Sequence, residues 1–397
     1  MVLTGKKIVI IIENLPLPFD RRVWQESRAL KESGADVYII CPVGKGYDSY
    51  YEKIDDIYIY RHSLPLEANG ALGYFFEYAC SLFHQRRLLK KIWKEHNGFD
   101  VIQACNPPDL IYLNVKKYIK KGVKFVFDHH DINPELYIAK FNRKDIFYKL
   151  LQYFERKTFY YSNISIATNQ SYREIAINRG AMDPKDVYVV RSGPDLKRMK
   201  IQSPKIEIKK DKTITIGYIG VIGQQEGIDH LLESIKIILE RHNYNDFHCY
   251  IIGDGPVRKE MEELSINLGL NEFVTFTGRI SDQLMLDILN SCDICVNPDI
   301  YNEMNDKSTM NKIMEYMALG KPIVQYDLKE GKVSAQGASL YAQNNNINDF
   351  ADKIIELIKD QDKRNIMSKI GKERICNKLH WDIEKKKFIK TYESLFI

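Results

Sequence analysis

Apolar positions along this chain recur at two spacings, and the two take turns. Short, nearly continuous apolar runs bounded by Gly, Pro or Asp read as buried strands. They fall at Lys7–Glu13, Asp36–Cys41, Ile57–Arg61, Val101–Ala104, Lys124–Asp128, Ile164–Ala167 and Val187–Arg191. Between them lie stretches with apolar residues three and four apart, the period of one helix face. The first starts near Asp20, carries Val23, Trp24, Ser27 and Leu30 on one side, and stops at Gly34. Others span Leu72–Trp93, Asp109–Lys120, Asp145–Tyr161 and Ser171–Arg179. Gly193-Pro194 and the charged stretch Lys197–Lys212 interrupt, and the alternation then restarts. Strand patterns follow at Ile214–Ile219, His248–Ile252, Val274–Phe276, Ile294–Val296 and Ile323–Gln325. Helical patterns follow at Ile228–Arg241, Val257–Leu268, Asp282–Asn290, Ile347–Lys359, Lys363–Asn377 and Trp381–Phe396.

Strands alternating with helices imply βαβ units and parallel sheets. The expected class is α/β, with two Rossmann-like doubly wound parallel-sheet domains facing a cleft. Residues 1–196 form the first, 197–211 the linker and 212–380 the second. Residues 381–397 are expected to be a last, amphipathic helix. Ligands of such sheets sit at the carboxyl ends of the strands.

Composition narrows the class. A chain with 44% hydrophobic and 28% charged residues is that of an ordinary globular protein. No apolar run approaches the roughly 18 residues of a membrane span. Lys6-Lys7 followed by Ile8–Ile12 is too short for a signal peptide. Seven cysteines without regular spacing fit a reducing, cytoplasmic setting. Cys292 and Cys295 form a C-x-x-C inside an apolar strand run and read as core residues. Charge is uneven: residues 1–191 hold 29 Lys and Arg against 22 Asp and Glu, and the remainder 29 against 31. A basic first half points to an anionic partner there, whether nucleic acid, phosphorylated acceptor or membrane surface.

The densest chemistry in the second half is Asn305–Pro322, NDKSTMNKIMEYMALGKP. A polar loop, Asn305–Thr309, leads into a helix with Met310, Ile313, Met314, Met317 and Ala318 on one face, stopped by Gly320. Loop hydroxyls of Ser308 and Thr309, helix N–H groups, Lys307 and Lys312 suit an anion such as phosphate. Periodicity alone leaves Lys312 and Glu315 as solvated charges. Two glycine turns follow strands of the same half, Gly220–Gly223 and Gly253–Pro256. Gly220, Gly223, Gly253 and Gly255 serve either close approach to a ligand or backbone packing. Arg279 sits in a third strand-end turn and offers a further cation.

In the first half, Phe127–Glu135 reads FDHHDINPE directly after a strand. Consecutive His129 and His130 point to opposite sides of a continuing strand, which disfavours one shared metal ion. Asp131 or Asn133 could cap a helix with Pro134 at its start. Arg21 and Arg22 at a strand-to-helix transition bind acceptor phosphate or sugar, or are surface charge. Asn106 opens another strand-end loop. Tyr137–Tyr161 interleaves six Lys and Arg with aromatics and either packs into a core or rests on an anionic membrane. No nucleic-acid module is present, and the D-x-D at Asp360–Asp362 lies in a charged turn and reads as solvated surface.

The motifs together resemble retaining nucleotide-sugar glycosyltransferases of family 4, which have the GT-B fold. EYMALGKP at Glu315–Pro322 is similar to the family's donor-site helix, IIGDGP at Ile251–Pro256 to its GxGP turn, and VVRSGPD at Val189–Asp195 to its inter-domain segment. YIGVIGQQEGID at Tyr218–Asp229 resembles its glycine loop, with Val221 and Glu226 where Arg and Lys are usual, and Lys307 stands at the first Glu of its E-x7-E pair. DHHDINPE resembles its H-D-x-x-P-E, with His130 in the motif's His position, and PFDRRVWQE at Pro18–Glu26 is typical of a bacterial surface-polysaccharide branch.

The resemblance implies transfer of a hexose-type residue from a UDP- or GDP-type sugar to a glycan or polyprenyl-diphosphate-linked acceptor, with retained anomeric configuration. It implies ribose binding by Glu315, sugar contact by His130, and a C-terminal helix, residues 381–397, that crosses back to the first domain. Lys307 and Lys312 are the expected replacements at the pyrophosphate, which needs positive potential as the bond breaks. The expected donor set is Gly220, Gly223, Gly253, Gly255, Arg279, Lys307, Ser308, Thr309, Lys312 and Glu315. His130, Lys307 and Glu315 are the catalytic candidates, and Arg21, Arg22, Asn106 and Asp131 the acceptor-binding ones. Neither a cofactor nor a metal is expected beyond the nucleotide-sugar co-substrate. The rivals are a nucleotide-sugar epimerase of the same fold and a non-catalytic nucleotide-sugar-binding partner of another transferase.

Overall fold

The computed structural model describes residues 3–63, 70–203 and 213–396, with side chains omitted for 70–76. Much of the expected linker, residues 204–212, therefore lies outside the described residues. The chain divides into two compact units, Met1–Ser192 with Glu384–Ile397, and Gly193–Ile383.

The first unit begins with β1 (Lys7–Ile11), α1 (Arg21–Glu32), β2 (Asp36–Pro42), β3 (Tyr51–Ile54), β4 (Ile57–His62) and α2 (Gly70–Glu95). It continues through β5 (Val101–Cys105), α3 (Tyr112–Ile119), β6 (Lys124–His129), α4 (Asn133–Phe141) and α5 (Ile146–Tyr161). β7 (Ile164–Ala167), α6 (Gln170–Asn178) and β8 (Val187–Val189) complete it. Its eight strands run in the order β3-β4-β2-β1-β5-β6-β7-β8. Seven are parallel and nearly continuously apolar, because helices cover both faces.

β3 is the exception, pairing antiparallel with β4, and the sequence pattern did not announce it. As an edge strand with Glu52 and Lys53, it alternates exposed and half-buried positions and has no apolar run. Asp55 and Asp56, with φ of 48° and 60°, close the hairpin through the positive-φ turn that suits strand twist, but without the glycine that marks such turns.

The second unit carries β9 (Ile214–Ile219), α7 (Ile228–Glu240), β10 (Phe247–Ile252), α8 (Arg258–Asn267), β11 (Val274–Gly278), α9 (Asp282–Ser291) and β12 (Ile294–Asn297). Then come α10 (Glu303–Lys307), α11 (Asn311–Ala318), β13 (Ile323–Tyr326), α12 (Lys329–Ala335) and β14 (Ser339–Ala342). α13 (Ile347–Lys359) and α14 (Gln361–Arg374) follow, and α15 (Trp381–Glu393) begins at the end of this unit and belongs from Glu384 onward to the first. The all-parallel sheet has the order β11-β10-β9-β12-β13-β14. Cys292 and Cys295 are buried in its core beside Leu289, Ile313 and Met317.

Two expectations here need correction. The segment Asn305–Thr309 is not simply a loop: Asn305, Asp306 and Lys307 belong to α10, whose cap Asn302 accepts from the Asn305 N–H at 2.9 Å. α12 and β14 were absent from the pattern, since Lys329–Ala335 has few apolar residues and Ser339–Ala342 only four positions.

Candidate active site

In an open α/β sheet the binding crevice lies where neighbouring strands send their connections to opposite sides. In the second unit that point is between β9 and β12. Tyr218 near the end of β9, the Gly220 turn after it and Asp299 after β12 meet there, and α11 brings Lys312 between them. The Lys312 ammonium is 2.8 Å from Asp299 Oδ1 and 3.4 Å from the Tyr218 hydroxyl, and lies over the Tyr218 ring at 4.8 Å. Its side chain is only 12% exposed. Lys312 is thus a buried, paired cation, not a solvated one. Burial works against its charge, but Asp299 outweighs it and raises the pKa.

The acids around Lys312 outnumber it. Burial raises the pKa of Asp299 against the pull of Lys312, and Asp299 Oδ2 has no hydrogen-bond partner. Glu226 is raised by burial and then by Asp299, and its Oε2 is likewise unpartnered. One ammonium therefore serves two carboxyls, with an exposed Val221 beside the turn.

Glu315, one turn along α11, lies 3.4 Å from the Arg198 guanidinium, which also bonds Asp282 at 2.9 Å. Lys307 pairs with Glu303 at 2.6 Å, and the Ser308 hydroxyl donates to the Met304 carbonyl. Thr309 is half-buried at the entry to α11, and Arg279 is exposed after β11.

The glycine turns pack on one another. A Cβ on Gly253, where φ is +141°, would stand 1.8 Å from the Gly220 carbonyl oxygen, and one on Gly255 2.3 Å from that of Ile222. Gly220 N–H donates to Ile252 and Gly253 N–H to Gly278, so three strand ends are tied together. Glycine at 253 and 255 is thus required by backbone contact alone. A Cβ on Gly220 would meet the Tyr218 hydroxyl at 2.6 Å and Lys312 Cε at 3.4 Å, which places this turn against the lysine. One on Gly223 would meet Glu226 Oε2.

The first unit assembles a second cluster at the ends of β5 and β6. Arg22 in the first turn of α1 is buried, with its side chain 9% exposed, so it is not surface charge. Its guanidinium donates to Asp128 Oδ1, the Ser192 hydroxyl and the Val190 carbonyl at 3.0–3.1 Å, and lies 3.1 Å from Glu26. His130 Nε2 is 2.8 Å from Asp128 Oδ2 and 3.0 Å from Arg22 Nε. Protonated, that nitrogen donates to Asp128. Burial lowers the pKa of His130, but the Asp128 carboxylate outweighs it, and the net direction is upward. Glu26 is pushed up to about 8, chiefly by burial and then by Asp128.

Asn106 clamps the loop that carries His130. Its Oδ1 accepts from the His130 and Asp131 N–H groups, and its Nδ2 donates to Asp109 and to the Asp131 carbonyl. Both ends of that amide are engaged. Arg22 and Asn106 thus hold the loop that carries His130 and Asp131. Asp131 is half-buried, its pKa raised by burial, and its carboxylate makes no hydrogen bond among the described residues. Arg21 is exposed at the start of α1. Asn133 is no cap: it is the first residue of α4 and donates to Asp109 at 2.6 Å, and Asp131 makes no capping bond. His129 faces away from His130, among Phe127, Phe159 and Tyr172. Ligand atoms of Cys105, Asp128 and His130 lie within 4.8 Å of one another, but the Arg22 guanidinium already supplies the cation there.

Sequence reading missed Asp299, Tyr218, Arg198 and the Glu26–Asp128 pair. Asp299 could have been found as a polar residue at the end of a strand beside the switch point. Arg198 carried no signal, lying in a charged stretch read as linker.

Two family models match: Glycosyltransferase Family 4 over residues 20–198 and Glycosyl transferases group 1 over residues 213–360. An uncharacterized glycosyltransferase of Methanocaldococcus jannaschii is 28% identical over 45% of this chain and 47% of its own. The chain thus spans about half the length of the first curated relatives it matches. A Staphylococcus aureus capsular polysaccharide biosynthesis glycosyltransferase, CapM, is 23% identical over 88% of this chain and 87% of its own. Among solved structures, sucrose-phosphate synthase from Thermosynechococcus elongatus matches with a TM-score of 0.81 at 15% identity, over 98% and 99% of the chains. Anabaena HepE, solved with UDP and glucose, matches at 0.73 and 15%, over 98% and 100%.

Proposed function

The chain belongs to the glycosyltransferases of family 4 and group 1, with the GT-B fold, and on that premise we propose that it moves a sugar from a nucleoside diphosphate-sugar of the UDP or GDP type to a glycan or lipid-linked acceptor in surface polysaccharide assembly, with retention at the anomeric carbon. The observation that carries the donor assignment is the buried Lys312 at the β9–β12 switch point, set against the Gly220 turn at the start of α11. A phosphate there meets helix N–H groups and an ammonium, and Asp299 keeps that ammonium protonated. Glu315, held by Arg198, is placed to accept from the ribose hydroxyls.

As the anomeric C–O bond breaks, negative charge gathers on the departing diphosphate, and Lys312 with the α11 N-terminus stabilises it. The acceptor oxygen attacks from the same face, and its proton passes to the departing phosphate oxygen. We assign sugar and acceptor handling to the first unit, where His130 and Asp131 stand on the Asn106–Arg22 scaffold. HepE, whose structure holds UDP and glucose, supports a UDP donor. No helix among the described residues is long and apolar enough to cross a membrane. The exposed apolar positions of α5 support peripheral contact with an anionic membrane instead.

Thermal-shift titration with UDP, GDP, ADP, dTDP and their sugar conjugates tests the donor site. One diphosphate should stabilise the wild type and lose that effect in Glu315→Ala. Lys312→Ala and Lys307→Ala should each cut turnover by more than tenfold, and turnover within a few-fold of wild type in both would sink the phosphate role. The acid excess around Lys312 favours one second reading, a nucleotide-sugar-binding partner without catalysis. Nucleotide-sugar binding without turnover, even with membrane extract supplied as acceptor, would establish it.

A further inference from the structure

Away from both clusters, a groove of about 590 Å³ runs along the outer edge of the first unit's sheet, between the β3–β4 hairpin and α2. Its volume is in the range of small-ligand sites. Three features of its lining specify a ligand.

The first is His62, at the end of β4 and 3% exposed. Its Nδ1 lies 3.0 Å from the Ser63 carbonyl oxygen, which can only accept, so Nδ1 carries the proton. Burial holds the ring neutral, with its pKa lowered to about 4. Nε2 is then a bare acceptor, and it is buried without a hydrogen-bond partner. A phosphate or carboxylate cannot satisfy it; a hydroxyl can.

The second feature is charge. Arg87, Lys90, Lys91 and Lys94 stand at i, i+3, i+4 and i+7 on α2, one stripe along the groove. Like charges at that spacing destabilise a helix. Among the described residues, only Lys91 of these four has an acidic neighbour, Glu95 at 3.8 Å, and no Asp or Glu lines the groove. The third is a pair of flat faces: Tyr50 and Tyr51 are 61% and 50% exposed at the rim, suited to the C–H face of a sugar ring.

We propose that this groove binds an anionic oligosaccharide, its hydroxyl donating to His62 Nε2 and its acidic groups lying along the α2 stripe. The proposal does not depend on the transferase reading, because binding is measured without nucleotide or turnover. The acidic group can be a carboxylate or a phosphodiester, and the two probes below separate these sources.

The full chain is titrated calorimetrically with tetragalacturonic acid, a glycerol-phosphate tetramer, neutral maltotetraose and a uridylate tetramer. At least one of the first two should bind, more weakly as salt rises, and maltotetraose should not. Lys90→Glu with Lys94→Glu, at exposed positions, should weaken that binding by at least about tenfold, and His62→Phe by about tenfold, the scale of one lost hydrogen bond. Because His62 is buried, its Nε2 15N resonance in the wild type is the second readout and should shift on binding. Equal binding of maltotetraose, uridylate binding as tight as the acidic saccharides, no binding of either acidic saccharide, binding undiminished in the lysine variant, or an unmoved His62 resonance would each overturn the proposal.

Discussion

Glu13, two residues beyond β1, has its side chain 2% exposed and Oε1 without a hydrogen-bond partner. Burial, and then Glu77, push its pKa up to about 8, so it is largely neutral at pH 7. A carboxyl raised in the folded state binds its proton more tightly there than in the unfolded chain. Its contribution is whole below the unfolded value near 4.5 and is lost as pH rises through about 8. Unfolding free energies from urea titration at pH 5 to 9 should therefore fall for the wild type relative to Glu13→Gln, by on the order of 2–4 kcal/mol across the window. Parallel curves would show that Glu13 is solvated. His130 has the opposite chemistry with the same direction: Asp128 sustains its charged form against burial. In Asp128→Asn its imidazole should titrate at lower pH than in the wild type, read from its ring proton resonance. An unchanged midpoint would detach His130 from the Arg22–Asp128 network. The motif pointed to His130, but nothing in it foretold a guanidinium shared between Asp128 and His130, because Arg22 reaches that loop from over a hundred residues away.

At the scale of elements, legibility followed burial. Ile164–Ala167, Ile214–Ile219 and α13 were read at their bounds because each carries a mostly apolar, buried run or a full helical stripe. β3, α10 and α12 are half-solvated or polar, so hydrophobic periodicity had little to register. α5 left two readings open, a core-packed helix or one resting on an anionic membrane, and several of its apolar and aromatic positions are not packed in the core. Ile146, Phe147, Leu150, Tyr153 and Tyr160 are exposed, while Glu155, Thr158 and Phe159 turn inward. Lys157 lies over the rings of both Tyr153 and Tyr160. Apolar faces flanked by lysines bind anionic interfaces through buried area and charge together. Co-sedimentation with phosphatidylglycerol vesicles should drop by more than about tenfold in Ile146→Glu with Leu150→Glu, since each lost apolar side chain is worth roughly 1.5–3 kcal/mol. Equal sedimentation of variant and wild type would leave that face unexplained.

At the scale of the whole molecule, the first unit is built from both ends of the chain, Met1–Ser192 and Glu384–Ile397. Phe388 and Tyr392 on α15 are fully buried in it, with ring centroids 5.1 Å apart. The Tyr392 hydroxyl donates to Gln103, whose amide donates in turn to Glu26 and Asp128, so the last helix supports the cluster that carries His130. Glu384 accepts from the Arg191 N–H at 2.9 Å, and Lys385 pairs with Glu32. The hydrophobic stripe of residues 381–396 marked a helix that had to bury one face; periodicity does not say which surface it covers, and it was the family resemblance that implied the first domain. Phe388→Ala removes a ring from this interface and should cost about 3–5 kcal/mol, lowering the first unit's melting temperature by roughly 10 °C. The second unit contains Lys312 and Glu315 and none of this interface, so its stabilisation by the bound nucleoside diphosphate should survive the substitution. Calorimetry with and without nucleotide distinguishes the outcomes. A lowered transition alongside a retained nucleotide-dependent one places the C-terminal segment in the first unit's core alone, whereas loss of the nucleotide response would tie it to the donor site as well.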